Sequence, residues 1–315
     1  MEVGTVRLEK ATVPTPFFIL NKIKLHKRSS ERKATWLILP TFIILTILFV
    51  GGFFFGILQS FGYFSVIDNS SDGISLDAYR VAFSSDVVRS GIILTFRVAL
   101  LSTFLSTVVA LAISLMISRT KRFQSILIAI TQFNIPIPHV VAATGILLTF
   151  SQSGIISRLA YKLGFIDSTS EFPIITNDPF GYGIILSYLW KEIPFLCILI
   201  LGALRGPVTQ LDETAKTLGA SYGYRLRKIT LPYIFPSILS GTIIVFAFSF
   251  GSYEVPFILG EPYPSTVSVV AYQFYTNRDL AYRPVAMALA TITSLVIGLL
   301  VYFYMKITQQ ESRKK

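Results

Sequence analysis

Residues 229–253 read ITLPYIFPSILSGTIIVFAFSFGSY, and this run contains no charged residue. Three further runs are equally free of charge, at residues 34–67, 123–157 and 284–305. Each of the four is long enough to supply the roughly 20 apolar residues that a helix needs to cross a bilayer. Charged residues make up only 14% of the chain, whereas soluble domains carry about 25%. We therefore predict an all-α integral membrane protein.

Six membrane spans fit the apolar runs best, at about residues 36–60, 90–118, 124–150, 182–204, 235–259 and 284–305. The second span contains Arg97, and the fourth contains Lys191 and Glu192. The first span follows about 35 mostly polar residues and is too long for the core of a secretion signal, so it reads as an uncleaved anchor.

The positive charge is distributed asymmetrically. Of the 28 Lys and Arg residues, 20 fall on one side of the six-span arrangement, in the segments that include both termini. This asymmetry is typical of the cytoplasmic side, so it predicts that both termini are cytoplasmic. The net charge of +11 therefore indicates contact with membrane lipid rather than nucleic acid. The basic stretch 22–33 is expected to meet anionic headgroups, at about 1 kcal/mol per charge.

One cytoplasmic segment has a helical pattern but is too short to span. Val208, Leu211, Ala215 and Leu218 recur at spacings of three and four, which predicts a short amphipathic helix. Gly219 ends it, because glycine supplies the backbone angles of a helix C-terminal turn. A second short helix at 222–228 then leads into the fifth span. A surface helix with small residues on its apolar face suits a protein partner better than lipid, which favours bulky apolar side chains.

Polar residues and helix breakers interrupt three of the spans. The third contains Asn134-Ile135-Pro136-Ile137-Pro138-His139, where each proline removes a backbone donor. The helix must kink there for packing, or open where a pathway covers its backbone. His139 is isolated in the sequence, has no metal-ligand spacing and is expected to be a hydrogen-bonded core residue; no metal site is predicted.

Adjacent helical positions point about 100° apart, so Lys191 and Glu192 cannot simply neutralise each other. Each is expected to have its own partner on another helix, or one of them faces the pore. Glu254 follows a glycine-weakened helix end, and both anchoring and solute contact remain open for it. The candidate solute-path residues are Asn134, Lys191, Glu192, Ser252, Tyr253 and Glu254.

Small residues recur every four positions in the second span, which predicts close helix packing, since apolar surface alone does not drive association in lipid. The stripe consists of Ser102, Ser106, Ala110 and Ser114, and a shorter version in the sixth span consists of Ala286 and Ala290.

The cytoplasmic segment resembles the coupling loop of permease subunits in binding-protein-dependent ABC importers. The residues that carry the match are Glu213, Ala215, Gly219, Ile229, Leu231 and Pro232. Thr214 is the one departure, since alanine is usual there. The likeness extends over about residues 85–306, which implies the MetI-like fold of type I ABC importers: a five-helix core with a coupling loop at 206–233. Around this core lie a basic segment at 1–35, the span at 36–60 and a basic tail at 307–315.

The resemblance implies a transport subunit of the bacterial cytoplasmic (inner) membrane without a catalytic site or cofactor of its own. Its expected partners are a dimer of ABC ATPase subunits, a second permease chain and an extracytoplasmic solute-binding protein. ATP and Mg²⁺ would be used by the ATPase, since the chain has no GxxxxGK[ST] sequence. The residues expected to couple to the ATPase are Glu213, Thr214, Ala215, Leu218, Gly219, Ile229, Leu231 and Pro232.

Residues 190–195 and 252–257 resemble the branch that transports polyamines, so a small polar or cationic solute is expected. Two alternatives remain open. The same class of permease could carry another solute, such as iron, a sugar, a phosphonate or an opine. A secondary transporter driven by an ion gradient is the other alternative, although such carriers often have inverted repeats, which the sequence does not show.

Overall fold

A computed structural model describes residues 16–63, 74–120 and 122–312, with side chains described from residue 35 to residue 306 within those ranges. The side chains of the basic stretch 22–33, the first 15 residues and the last three therefore lie outside the described residues. The described residues are helical apart from turns, irregular connections and one isolated bridge between Asp178 and Gly260.

The helices follow in chain order. The first seven are α1 (Pro16–Ser60), α2 (Asp77–Ser84), α3 (Asp86–Arg119), α4 (Gln124–Gln132), α5 (His139–Phe150), α6 (Ile155–Lys162) and α7 (Tyr182–Leu204). The remaining ones are α8 (Val208–Thr217), α9 (Tyr222–Arg225), α10 (Leu231–Gly251), α11 (Glu254–Leu259), α12 (Val267–Tyr275) and α13 (Tyr282–Ser312). A π-helical turn at Leu226–Thr230 joins α9 to α10 without a break.

Six segments are long and apolar enough to cross a membrane, as predicted. They are Thr35–Ser60, Asp86–Arg119, His139–Lys162, Tyr182–Leu204, Tyr222–Gly251 and Tyr282–Lys306. The prediction of a continuous third span at 124–150 is wrong. The helix stops at Gln132, and the segment of spanning length begins at His139 and includes α6. The predicted fifth span also ends earlier than expected, at Gly251 rather than at residue 259.

Two compact units divide the chain, Met1–Phe55 and Gly56–Lys315. The first consists of α1 up to Phe55. In the second, α7 is the central helix: 61% of its apolar 18-residue stretch is buried, against 28–33% for the corresponding stretches of the other spans of that unit. It shares one apolar cluster with α3, α5 and α11, and another with α3, α8 and α10.

The small-residue stripe of α3 allows this close packing. All four of its members are completely buried, as the spacing predicted. The α3 helix also bonds α10 through the hydroxyls of Thr107 and Thr242, 3.2 Å apart. The shorter stripe in α13 is only half correct, because Ala286 is buried but Ala290 is exposed.

Candidate functional site

The break between α4 and α5 interrupts the helical hydrogen bonds of its backbone carbonyls, and Lys191 of α7 donates to three of them. Its ammonium Nζ donates to the carbonyl oxygens of Asn134 at 3.0 Å, Ile135 at 3.1 Å and Ile137 at 2.6 Å. One of the three, that of Asn134, also accepts from the amide of Ile137 at 3.1 Å. Lys191 is only 6% exposed. Charges in a membrane interior are usually paired or bonded to backbone carbonyls, and this lysine meets that requirement entirely through carbonyls.

A second hydrogen bond joins the same two segments in the opposite direction, from a donor in the α4–α5 break to an acceptor in α7. Pro194 lies inside α7 and has no N–H, so the carbonyl of Trp190, one turn earlier, lacks its helical donor. The side-chain Nδ2 of Asn134 donates to that carbonyl. Each interrupted helix therefore satisfies the backbone of the other. We call Asn134, Lys191, Glu192 and His139 the interhelical joint.

Glu192 completes the joint through His139, whose Nε2 lies 3.4 Å from its Oε1. Lys191 and Glu192 therefore have separate partners, as predicted, although only Glu192 finds its partner on another helix, since the carbonyls that Lys191 meets lie in the break between α4 and α5. His139 is hydrogen-bonded as predicted but is half-buried rather than in the core. The His139 ring packs on Phe248 of α10, with centroids 4.5 Å apart. The joint therefore connects the α4–α5 break, α5, α7 and α10.

The remaining candidate solute-path residues lie at the break between α10 and α11. Ser252 and Tyr253 separate the two helices, and Glu254 begins α11 with an exposed side chain. Tyr253 packs against Phe257 and Tyr272, at centroid distances of 5.1 and 4.6 Å. The structure therefore brings Asn134, Lys191 and Glu192 together in the joint, whereas Ser252, Tyr253 and Glu254 lie at the separate α10–α11 break.

Tyr188 was missed by the sequence analysis, and it lies between these two groups. It is completely buried in α7, near Ser252, Glu192 and Glu254, and its hydroxyl has no hydrogen-bond partner among the described residues. Its ring also packs edge-on against Phe248 at 6.2 Å. A tyrosine inside an apolar run carries no sequence signal for such a position, apart from lying one helical turn before Glu192.

The hairpin formed by α8 and α9 lies at the opposite end of α10 from this break, since 21 helical residues rise about 31 Å. Gly219 ends α8 in the left-handed region, with φ of +83°. The amides of Gly219 and Ala220 donate to the carbonyls of Lys216 and Ala215, each at 3.0 Å. This is the Schellman arrangement, which the glycine predicted.

The residues expected to couple to an ATPase fall into two groups. Glu213, Thr214, Leu218, Gly219 and Pro232 are exposed, Leu218 by 84%. Ala215 is half-buried, and Ile229 and Leu231 pack against the apolar cluster that α7 shares with α8 and α10. The first group can meet a partner, while Ile229 and Leu231 hold the hairpin on the bundle.

Two polar contacts fix the hairpin. Arg225 Nη1 donates to Asp212 Oδ2 at 2.5 Å and to the Asp212 carbonyl at 3.2 Å, which ties α9 to α8. The guanidinium of Arg119, at the end of α3, lies 3.5 Å from the centroid of the Tyr222 ring. The hairpin is therefore anchored to α3 as well as to the helices on either side of it.

Six apolar segments of spanning length, together with a buried polar joint and a capped amphipathic hairpin in the second unit, define a helical membrane protein of the transport class. The particular family follows from sequence comparison. Residues 91–314 match the profile of the family described as binding-protein-dependent transport system inner membrane component. The chain belongs to this family of ABC importer permeases and is a multi-pass inner membrane protein.

Curated relatives agree on the class of protein and differ in the solute named. The molybdenum transport system permease of Mycobacterium bovis is 23% identical over 214 residues, 68% of this chain and 77% of that protein. The spermidine/putrescine transport system permease of Haemophilus influenzae is 26% identical over 245 residues, 76% of this chain and 84% of that protein.

A bacterial ABC transporter involved in the import of the acidic polysaccharide alginate has the same fold. Its superposition gives a TM-score of 0.71 at 20% identity, over 90% of this chain and 99% of the other. The predicted all-α, six-span permease fold is thereby confirmed, while the cytoplasmic position of both termini stays a prediction.

Proposed function

We propose that this chain is one permease subunit of an ATP-driven, binding-protein-dependent importer and that the α8–α9 hairpin is its contact with the ATPase. The observation that carries the proposal is the hairpin itself: a short helix, capped at Gly219, that exposes Glu213, Thr214 and Leu218 while its base is anchored in the bundle. Exposed apolar Leu218, at the C-cap of α8, suits insertion into a cleft of a protein partner.

The connections of the hairpin support a mechanical role. Three residues separate α7 from α8, and α9 runs through the π-helical turn directly into α10. Force applied to the hairpin therefore acts on the two helices that carry Lys191 and Phe248. Because the interhelical joint holds α7 to the α4–α5 break, movement of α7 would carry that break with it and rearrange the solute path.

The other components follow from this role. An ATPase dimer would hydrolyse ATP with Mg²⁺ on the cytoplasmic side, where this proposal places the hairpin and both chain termini. A second permease, most simply a different chain, would complete the pathway. A related alginate transporter is known in complex with an alginate-pentasaccharide-bound periplasmic protein, which supports the proposal of an extracytoplasmic binding protein here.

For the solute we propose a small organic cation such as a polyamine. In the described part of the bundle, Lys191 is occupied by three carbonyls, and Arg97 lies 4.8 Å from the Phe180 ring centroid. Glu254, by contrast, is exposed and forms no salt bridge with any described residue. An unneutralised carboxylate beside the path favours a cation over an oxyanion such as molybdate.

The first test is mass spectrometry of the proteins that co-purify with the tagged chain in mild detergent. An ATPase subunit and a second permease are expected. A stable chain that purifies without any nucleotide-binding partner would contradict the proposal and favour an ion-coupled carrier.

The second test uses that complex in proteoliposomes. Gly219→Asp and Ala215→Glu should insert normally and yet lower binding-protein-stimulated ATP hydrolysis at least tenfold, because each puts a charge into the contact. Gly164→Asp is the matched control, since Gly164 also has a positive φ, of +73°, and an equally open surrounding, but lies outside the hairpin. Normal uptake by either hairpin variant would refute the coupling role.

A further inference from the structure

A cavity of about 450 Å³ lies at the end of the bundle opposite the α8–α9 hairpin. Its lining includes Asn177, Phe257, Gly260, Glu261, Ser265 and Gln273. We call it the outer pocket, since the proposed orientation places it on the extracytoplasmic side. Six residues of the interhelical joint and the α10–α11 break were expected to meet solute. None of them is part of the lining of the outer pocket.

The backbone around the outer pocket is held by contacts between distant parts of the chain. The amide of Asn177 donates to the carbonyl of Leu259 at 2.7 Å, and Asp178 forms a parallel bridge with Gly260. Asn177 has a φ of +55°, in the left-handed region that asparagine tolerates better than most residues. These contacts join the segment before α7 to the end of α11, so the two sides of the pocket are fixed to each other.

The aromatic wall of the pocket is equally fixed. Phe257 stacks on Tyr253 at 5.1 Å and meets Tyr272 edge-on at 6.1 Å. Tyr253 and Tyr272 also contact each other, at 4.6 Å. Phe257 is therefore one member of a three-ring cluster, and a ring supported in this way can present its face or edge to a ligand with little loss of side-chain freedom.

The charge around the outer pocket is negative. Glu261 lines it, and the buried Asp178, next to the lining residue Asn177, accepts hydrogen bonds only from the amides of Phe180 and Gly181, through one oxygen. The other oxygen of Asp178 has no hydrogen-bond partner among the described residues. Lys and Arg do not occur in the lining, and neither carboxylate forms a salt bridge with any residue the structure describes.

We propose that the outer pocket binds the ammonium group of an organic cation before it reaches the bundle interior. This inference rests on the proposed import function. The Glu261 carboxylate accepts hydrogen bonds from the ammonium, and the amide oxygens of Asn177 and Gln273 provide further acceptors. Phe257 packs against the alkyl carbons and attracts the cation through its π-system. The volume holds a chain of several carbons, so a linear alkyl diamine is a suitable probe.

The test measures binding of 1,4-diaminobutane to the purified complex by isothermal titration calorimetry, without the binding protein or nucleotide. The isosteric neutral 1,4-butanediol and the oxyanion molybdate are the comparison ligands. The variants are Glu261→Gln, which removes the charge and keeps the shape, and Phe257→Leu, which removes the ring. Asp86→Asn is the matched control: it removes an acid near the same end of the bundle, outside the pocket, where Asp86 pairs with Arg89.

The expected result is that the diamine binds, that the diol does not, and that each pocket variant weakens diamine binding at least tenfold. Asp86→Asn should leave the affinity unchanged. Equal binding of diol and diamine, unchanged affinity in Glu261→Gln, or molybdate competing for the pocket would each overturn the inference.

Stimulated ATP hydrolysis, measured on the same preparations, separates this inference from the proposed function. If the complex does not distinguish diamine from diol while ATP hydrolysis still depends on Gly219, the outer-pocket inference alone is rejected. Hydrolysis that does not depend on Gly219 would reject the importer mechanism.

Discussion

The bond from Asn134 to the Trp190 carbonyl exists because Pro194 leaves that carbonyl without a helical donor. Replacing Pro194 by alanine restores an N–H four residues after Trp190, which can then bond the carbonyl within α7. The effect of Asn134→Leu on the free energy of unfolding should therefore be more destabilising in the wild-type chain than in the Pro194→Ala background. The two positions are 60 residues apart in the sequence, so any coupling between them must pass through the interhelical joint.

The single substitution alone is a poor test, because two effects oppose each other. Asn134→Leu leaves the Trp190 carbonyl unpaired, at a cost of about 1–3 kcal/mol. It also removes the Oδ1 of Asn134, which is buried without a partner among the described residues, and this gains a similar amount. The net change in the free energy of unfolding is thus close to zero. A double-mutant cycle isolates the bond, and interhelical bonds in membranes give coupling energies of about 0.6–1.7 kcal/mol.

The assay is reversible unfolding by sodium dodecyl sulfate in mixed micelles, for the wild type, both single variants and the double variant. A control cycle combines Asn134→Leu with Pro236→Ala, since Pro236 lies inside α10 and does not take part in the joint. The first cycle should give a coupling energy near 1 kcal/mol, and the control cycle should be additive within about 0.3–0.5 kcal/mol. Additivity in the first cycle would refute the account of the joint.

Two further predictions use the same assay. Lys191→Met should lower the free energy of unfolding by about 2 kcal/mol, because three hydrogen bonds at about 0.6 kcal/mol or more each are lost. The control Lys162→Met, at an exposed position, should change it by less than about 0.5 kcal/mol. Equal effects of the two substitutions would contradict the carbonyl contacts. Gly91→Ala should destabilise by about 1–3 kcal/mol, since its Cβ would lie 2.7 Å from the Ser265 carbonyl oxygen. Gly145→Ala, with no atom within 4 Å of the new Cβ, should be neutral or stabilising by up to about 1 kcal/mol, and a larger loss there than at Gly91 would refute the packing argument.

Local and periodic features were readable from the sequence. Apolar runs longer than a bilayer crossing fixed the fold class, and the small-residue spacing of α3 identified its packed face. Proline and glycine indicated where two helices are weakened, at Asn134–His139 and near Gly251, but the predicted spans at 124–150 and 235–259 still ran through both positions, where the structure ends a helix. Gly219 likewise predicted the end of α8. The continuous span at 124–150 was wrong because hydropathy measures apolarity and does not register the loss of backbone donors at Pro136 and Pro138.

The sequence by itself determined that this is a six-span membrane protein with a glycine-capped amphipathic hairpin, because apolar length, helical spacing and backbone restriction are properties of neighbouring residues. Only the tertiary structure decided which groups donate hydrogen bonds to the backbone carbonyls at the helix breaks. Lys191 meets carbonyls more than 50 residues away, and Tyr188 comes between Glu192 and Ser252. Such contacts depend on the rotation and axial position of each helix against its neighbours, which small shifts in packing set and no local pattern encodes.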